Sequence, residues 1–156
     1  MAFSVHSDEH FMNEAYRQAL KAFDEKEVPV GAVVVANNQI IARAYNQTER
    51  LKDPTAHAEM LAITAASNHL GTKYLRDCSL YVTLEPCGMC AGALYWSQLK
   101  KLVYAASDEK RGFTRISPNL IHPKTVVLRG TMVDECSSLV SEFFGKMRND
   151  STKPRY

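Results

Sequence analysis

Tyr81-Val82-Thr83-Leu84-Glu85-Pro86-Cys87-Gly88-Met89-Cys90-Ala91-Gly92-Ala93 changes from one secondary-structure signal to another within a few residues. Leu80–Leu84 is apolar and β-branched, the composition of a buried strand, and Pro86 stops it because proline has no N–H for a ladder. Beyond the proline, Cys90, Ala91 and Leu94 recur at helical spacing, so a helix is predicted over Cys87–Gln98.

The same alternation extends in both directions. Upstream, Ser7 followed by Asp8 and Glu9 marks a helix N-terminus, and Phe11, Ala15, Ala19, Ala22 and Phe23 recur as its core face. Val28–Ala36 reads as a buried strand, Asn37-Asn38 as a tight turn and Gln39–Tyr45 as the returning strand. Asp53 suits an N-cap and Pro54 the first helical position, for a helix running to about Asn68 with Gly71 beyond it. Downstream, Leu102–Ala106 and Thr125–Leu128 are strand-like. A closing helix carries Val133, Cys136, Leu139, Val140, Phe143 and Met147 on one apolar stripe. The pattern predicts a layered α/β domain with helices on both sheet faces, and periodicity leaves the strand order open.

With 156 residues the chain has the length of one domain, expected over residues 1–149 with a frayed tail over 150–156. At 46% hydrophobic and 23% charged it is ordinary globular material. It has no apolar run long enough to span a bilayer and no secretory leader pattern. A cytoplasmic setting follows, in which thiols stay reduced. A net charge of +2 neither requires nor excludes a nucleic-acid partner.

Only one pair of the four cysteines is closely spaced. Cys87 and Cys90 open a helix, where i and i+3 share a face and the helix end favours the thiolates that bind metal. A redox dithiol or a structural clip are the competing readings, but this pair has a partner in His57. His57, Cys87 and Cys90 make a tetrahedral zinc set with one vertex open, whereas a structural site would close it with a fourth Cys or His. An ion with an open vertex lowers the pKa of a water towards about 7. Glu59 is the candidate proton acceptor, although two positions on an ideal helix put it about 200° from His57. His-x-Glu followed by Pro-Cys-x-x-Cys is the zinc nucleobase deaminase signature.

Asp53-Pro54-Thr55-Ala56-His57-Ala58-Glu59 and the Tyr81–Ala93 stretch together resemble the cytidine-deaminase-like superfamily, and more narrowly the bacterial tRNA-specific adenosine deaminases. Val28-Pro29-Val30-Gly31-Ala32, Tyr45-Asn46 and Ser141-Glu142-Phe143-Phe144 fit that branch, and the similarity runs from about Phe11 to Arg148. The resemblance implies a three-layer α/β/α fold with a mixed five-stranded sheet and a homodimer with one Zn2+ per subunit. The implied activity converts the wobble adenosine of a tRNA anticodon loop to inosine. It also implies that Glu59 shuttles protons, that Asn46 hydrogen-bonds the base, and that Val30, Ala58 and Pro86 line the substrate site.

Two segments depart from the branch. Phe113-Thr114-Arg115-Ile116 stands where small residues and a glycine are usual, and Tyr95-Trp96 is similar to bacterial guanine deaminases. A deaminase of a free base or nucleoside, guanine or cytosine, is therefore the alternative, with a zinc-stabilised binding module third. Lys100, Lys101, Lys110, Arg111 and Arg115 outnumber Asp108 and Glu109, and Lys146, Arg148, Lys153 and Arg155 outnumber Asp150. Each cluster is a solvated face in the plainest reading. Given the resemblance, Lys110, Arg111, Lys146 and Arg148 become candidate phosphate contacts and Phe144 a candidate stacking platform. Cys78 and Cys136 are expected as small buried hydrophobes, and Tyr95 and Trp96 as packing or dimer-interface residues.

Overall fold

The computed structural model describes residues 6–150. Helix α1 (Asp8–Asp24) precedes the hairpin β1 (Gly31–Ala36) and β2 (Gln39–Tyr45). Then come α2 (Thr48–Leu51), α3 (Ala58–Leu70), β3 (Cys78–Leu84), α4 (Gly88–Ser97), β4 (Lys101–Ala106), β5 (Val126–Arg129) and α5 (Val133–Arg148). Ser7 caps α1 as expected, its side chain accepting from the His10 N–H at 3.1 Å. Asn37 and Asn38 turn the hairpin at φ 51° and 60°, values that Asn tolerates better than most residues.

The sheet order is β2-β1-β3-β4-β5. β1 runs antiparallel to β2 and β3, while β3, β4 and β5 are mutually parallel, so the five-stranded sheet is mixed. Ala32 and Val34, with Leu80, Val82, Leu102 and Tyr104, pack against Ala58, Ala62, Ala91 and Leu94 of α3 and α4. Val33 and Val35, with Tyr81 and Val103, pack against Phe11, Met12 and Ala15 of α1 and Cys136 of α5. The central strands are thus covered on both faces, which is why they read as continuous apolar runs. Three layers, α/β/α, result.

Three local expectations are corrected, and one short element is new. β1 begins at Gly31 rather than Val28, because the Val30 N–H turns back onto the Val28 carbonyl at 2.8 Å before the chain enters the sheet. Asp53 does not cap α3. Its carboxylate accepts from the Thr55 N–H (2.8 Å) and hydroxyl (2.7 Å), closing a separate turn, and the helix starts at Ala58 with His57 as N-cap. The short α2 was not anticipated. Val133 is 40% exposed and stays outside the core, to which α5 contributes Cys136, Leu139 and Phe143. Cys78 and Cys136 are buried as expected. Most of the predicted tail, residues 151–156, lies outside the described residues. Among those described, no helix is long and apolar enough to cross a membrane.

Candidate metal centre and active site

Three candidate ligands sit at the starts of two helices. His57 caps α3 with extended backbone, and its carbonyl accepts the first helical bond from the Leu61 N–H at 3.0 Å. Cys87 caps α4 in the same way, and Cys90 follows in the first turn. Positive helix ends favour thiolates there. The His57 Nδ1 lies 3.7 Å from the Cys87 Sγ and 3.6 Å from the Cys90 Sγ. With Zn–N near 2.05 Å and Zn–S near 2.3 Å, a tetrahedron spaces its N and S ligands about 3.6 Å apart. Both N–S spacings therefore suit zinc, and this is the group of His, Cys and carboxylate side chains among the described residues whose ligand atoms converge, all within 4.8 Å of one another.

Charges in the set are coupled. Its hydrogen bond with Cys90 is the main reason the Cys87 thiol is lowered to about 3; burial opposes this and the hydrogen bond with His57 reinforces it. Cys90 moves upward because it keeps the proton beside that thiolate and is itself buried. His57 is raised above the ordinary imidazole value by its bond to Cys87, against the effect of burial. Metal loading replaces these shared protons.

Glu59 is only 4% exposed. Burial lifts its carboxyl above the ordinary range, while a backbone N–H, the His57 charge and a hydrogen bond with the Cys90 thiol pull the other way. The expected 200° separation from His57 does not apply, because His57 stands at the N-cap with extended backbone and not inside the helix. Both side chains therefore reach the cysteine pair.

Asn46 and Val30, both buried, are joined by the Asn46 N–H to Val30 carbonyl bond at 3.0 Å. The Gln47 N–H binds the Ala56 carbonyl, also at 3.0 Å, which brings this strand end beside His57. Ala58 and Pro86 are buried next to ligands in the chain. Lys110 and Arg111 are exposed on the loop after β4, whose Gly112 forms a bridge to Cys87. The other candidate RNA contacts sit on a different element. Phe144 is half-buried, edge-on to Phe143 at 5.3 Å. Lys146 pairs with Glu142 at 3.4 Å and lies 4.9 Å from the Phe23 ring at the end of α1, and Arg148 is exposed one turn-end further on. Tyr95 packs on the His122 ring at 5.2 Å, whereas Trp96 is 77% exposed.

Two buried carboxylates escaped the sequence reading. Glu27 accepts from the Glu49 and Arg50 N–H groups at 3.0 and 2.8 Å and so caps α2. Glu85 accepts from the loop after β4. The one sequence signal was for Glu85, an acid directly after an apolar strand and beside Pro86-Cys87, whereas Glu27 ends the charged stretch Asp24-Glu25-Lys26 and carries none.

An open-vertex His-Cys-Cys set with a buried carboxylate on a mixed α/β/α sheet defines a mononuclear zinc hydrolase of the deaminase type. The sequence profile of the cytidine and deoxycytidylate deaminase zinc-binding region matches residues 5–106. The chain is 48% identical over 146 residues to the tRNA-specific adenosine deaminase of Aquifex aeolicus, covering 91% of this chain and 97% of that one. A solved structure from work on A-to-I editing by tRNA:A34 deaminases superposes with a TM-score of 0.78 at 39% identity, covering 83% of this chain and 98% of that chain. The guanine deaminase of Bacillus subtilis superposes with a TM-score of 0.64 at 32% identity, covering 96% and 99%. The chain belongs to the cytidine and deoxycytidylate deaminase zinc-binding family, in its tRNA-specific adenosine deaminase branch.

Proposed function

We propose that this protein deaminates the wobble adenosine of a tRNA anticodon to inosine, with one zinc ion held by His57, Cys87 and Cys90. The carrying observation is Glu59, buried in the first turn of the helix that His57 caps, beside the converging ligand set of His57, Cys87 and Cys90. Zinc bound there supplies a water of lowered pKa at neutral pH. In the deamination a water oxygen would replace the amino nitrogen on C6 of adenine: Glu59 carries one proton of that water to N1 and the other to the amino group, which leaves as ammonia as the C6–N6 bond breaks. The upward shift of Glu59 suits a carboxyl that must both take and return protons. Asn46 hydrogen-bonds the base, and Val30, Ala58 and Pro86 form the surrounding walls. Lys110 and Arg111, with Phe144, Lys146 and Arg148, contact the RNA. The base-site assignments follow the resemblance and the burial of Asn46, Val30, Ala58 and Pro86, and the RNA contacts follow the resemblance and the exposure of the four cationic side chains.

The substrate reading is supported by the 48% identity to a tRNA-specific relative over nearly the whole of both chains. The Tyr95-Trp96 pair favours the second reading, a free-base deaminase acting on guanine or cytosine. Parallel incubation with an anticodon stem-loop carrying a wobble adenosine, and with guanine, cytosine and adenosine, separates the two. Ammonia release from the stem-loop is expected; release from free bases alone overturns the first reading. Flipping a base from a loop is less costly than from a duplex, so double-stranded RNA should be a poor substrate.

The working form is a homodimer in the cytoplasm. Exposure of Trp96 beside Met89 (39%) on α4 supports that helix as the contact, since aromatics and Met concentrate at interfaces. Trp96→Glu should elute as a monomer in size-exclusion chromatography; an unchanged dimer moves the interface elsewhere.

A further inference from the structure

Glu85 follows the end of β3 and is two residues from the metal ligand Cys87. Its N–H is tied to the Ala106 carbonyl at 2.8 Å, and its side chain is 4% exposed. One carboxylate oxygen accepts from the Asp108 N–H at 3.2 Å. The other accepts from the Thr114 N–H at 3.0 Å and the Thr114 hydroxyl at 2.7 Å. The buried carboxylate therefore gathers both ends of the loop 108–114, and those donors offset the cost of taking it out of water.

The loop is shaped to let this happen. A Cβ on Gly112 would collide with the Glu85 carboxylate and stand 2.6 Å from the Asp108 carbonyl oxygen, so only glycine allows the closure. Asp108 in turn accepts from the N–H groups of Lys110 (3.1 Å) and Arg111 (3.0 Å). Phe113 is buried edge-on to Tyr104, and its N–H binds the Pro86 carbonyl at 2.9 Å. The exposed Lys110 and Arg111 are consequently held at a set position beside Cys87, to which Gly112 is bridged.

We infer that Glu85 is a positioning residue for substrate binding: by latching Asp108 and Thr114 it holds the Lys110-Arg111 loop against the metal-binding junction, in register for RNA phosphates. Both of its oxygens are engaged by loop donors, which separates its role from the proton transfers assigned to Glu59. The role rests on the RNA reading above. It also gives a purpose to Thr114, within the segment that departs from the family pattern.

The test uses full-length zinc-loaded protein and the variants Glu85→Gln, Thr114→Val and Thr114→Ser. Readouts are hydrogen exchange of residues 108–114 without RNA, bound zinc, and kcat and KM on the anticodon stem-loop. Gln would turn an NH2 towards amide donors, and Val removes the hydroxyl donor. Both should speed loop exchange about tenfold. Both should raise KM about tenfold with kcat within about threefold and zinc unchanged, while Thr114→Ser behaves as wild type. Unchanged exchange, or a fall in kcat with KM unmoved, overturns the inference. If Glu85→Gln does not fold, the Thr114 pair decides alone. Wild-type protein inert on the stem-loop refutes the RNA reading instead, and the exchange rates still decide for or against the latch.

Discussion

His57 and Cys87 are 30 positions apart in the chain, yet the imidazole Nδ1 stands 3.7 Å from the thiol sulfur. Each residue ends a non-helical segment and caps a helix, so the two helix N-termini converge on one point. A metal placed there receives ligands that the backbone has already oriented.

Removing one ligand leaves two, too few for tight zinc binding. His57→Ala or Cys90→Ala should lower bound zinc from about one per chain to below about 0.1 and abolish deamination. Metal analysis of the purified variants, alongside ammonia release, checks this. Full zinc occupancy in Cys90→Ala would remove that residue from the ligand set.

Glu59 is a separate case because its loss should spare the metal. Glu59→Gln is expected to keep about one zinc per chain and lose about 10³-fold in kcat. Near-normal turnover with zinc bound would end its assignment as proton carrier.

Lys110 and Arg111 should act through charge. Replacing both by Ala is expected to raise KM for the stem-loop and to flatten its dependence on log salt by about 0.7 per lost phosphate contact. An identical salt slope would place the RNA elsewhere on the surface.

Asp8 ties α1 to the sheet. It accepts from the Tyr81 hydroxyl at 2.6 Å and from the Lys101 ammonium at 2.8 Å. Burial alone would raise its carboxyl, but the Lys101 and Tyr81 hydrogen bonds and the Lys101 charge outweigh it and leave it below the usual 3.8. A depressed folded pKa gives stability that is complete above about 3.8 and lost as pH falls through the lower folded value. Asp8→Ala should thus cost about 1 kcal/mol at pH 7, the pair being partly solvated, and much less at pH 2. Urea unfolding at the two pH values measures the difference.

Gly31 marks where α1 lies closest to β1. A Cβ there would strike the Ala15 carbonyl oxygen and the Ala19 N, both backbone atoms of the helix. Since neither can swing aside, Gly31→Ala should destabilise by about 2–3 kcal/mol in thermal or urea unfolding. A cost below about 0.5 kcal/mol would mean that the helix shifts freely on the sheet.

Elements with strong local signals were legible. The Asn37-Asn38 turn, the Ser7 cap and the strand–proline–helix passage at Leu84-Glu85-Pro86-Cys87 each depend on neighbours a few positions away. Asp53-Pro54 misled because an Asp followed by Pro and Thr can cap a helix or close a turn, and local chemistry does not separate the two. Glu27 and Glu85 were missed because their partners, the N–H groups of 49–50, 108 and 114, are remote in sequence.

Residue type and spacing alone established the chemistry here: one imidazole and two thiols suited to zinc, a carboxyl two positions from the imidazole, and periodicities for helices on both faces of a sheet. Strand order, the placing of His57 at an N-cap instead of inside a helix, and the carboxylate latch on the 108–114 loop depended on the folded chain. Ligand preference is a property of each side chain, and periodicity of its near neighbours. The burial of Glu59 and Glu85, which sets the proton affinity of one and the hydrogen-bonding of the other, exists only once distant segments have closed over them.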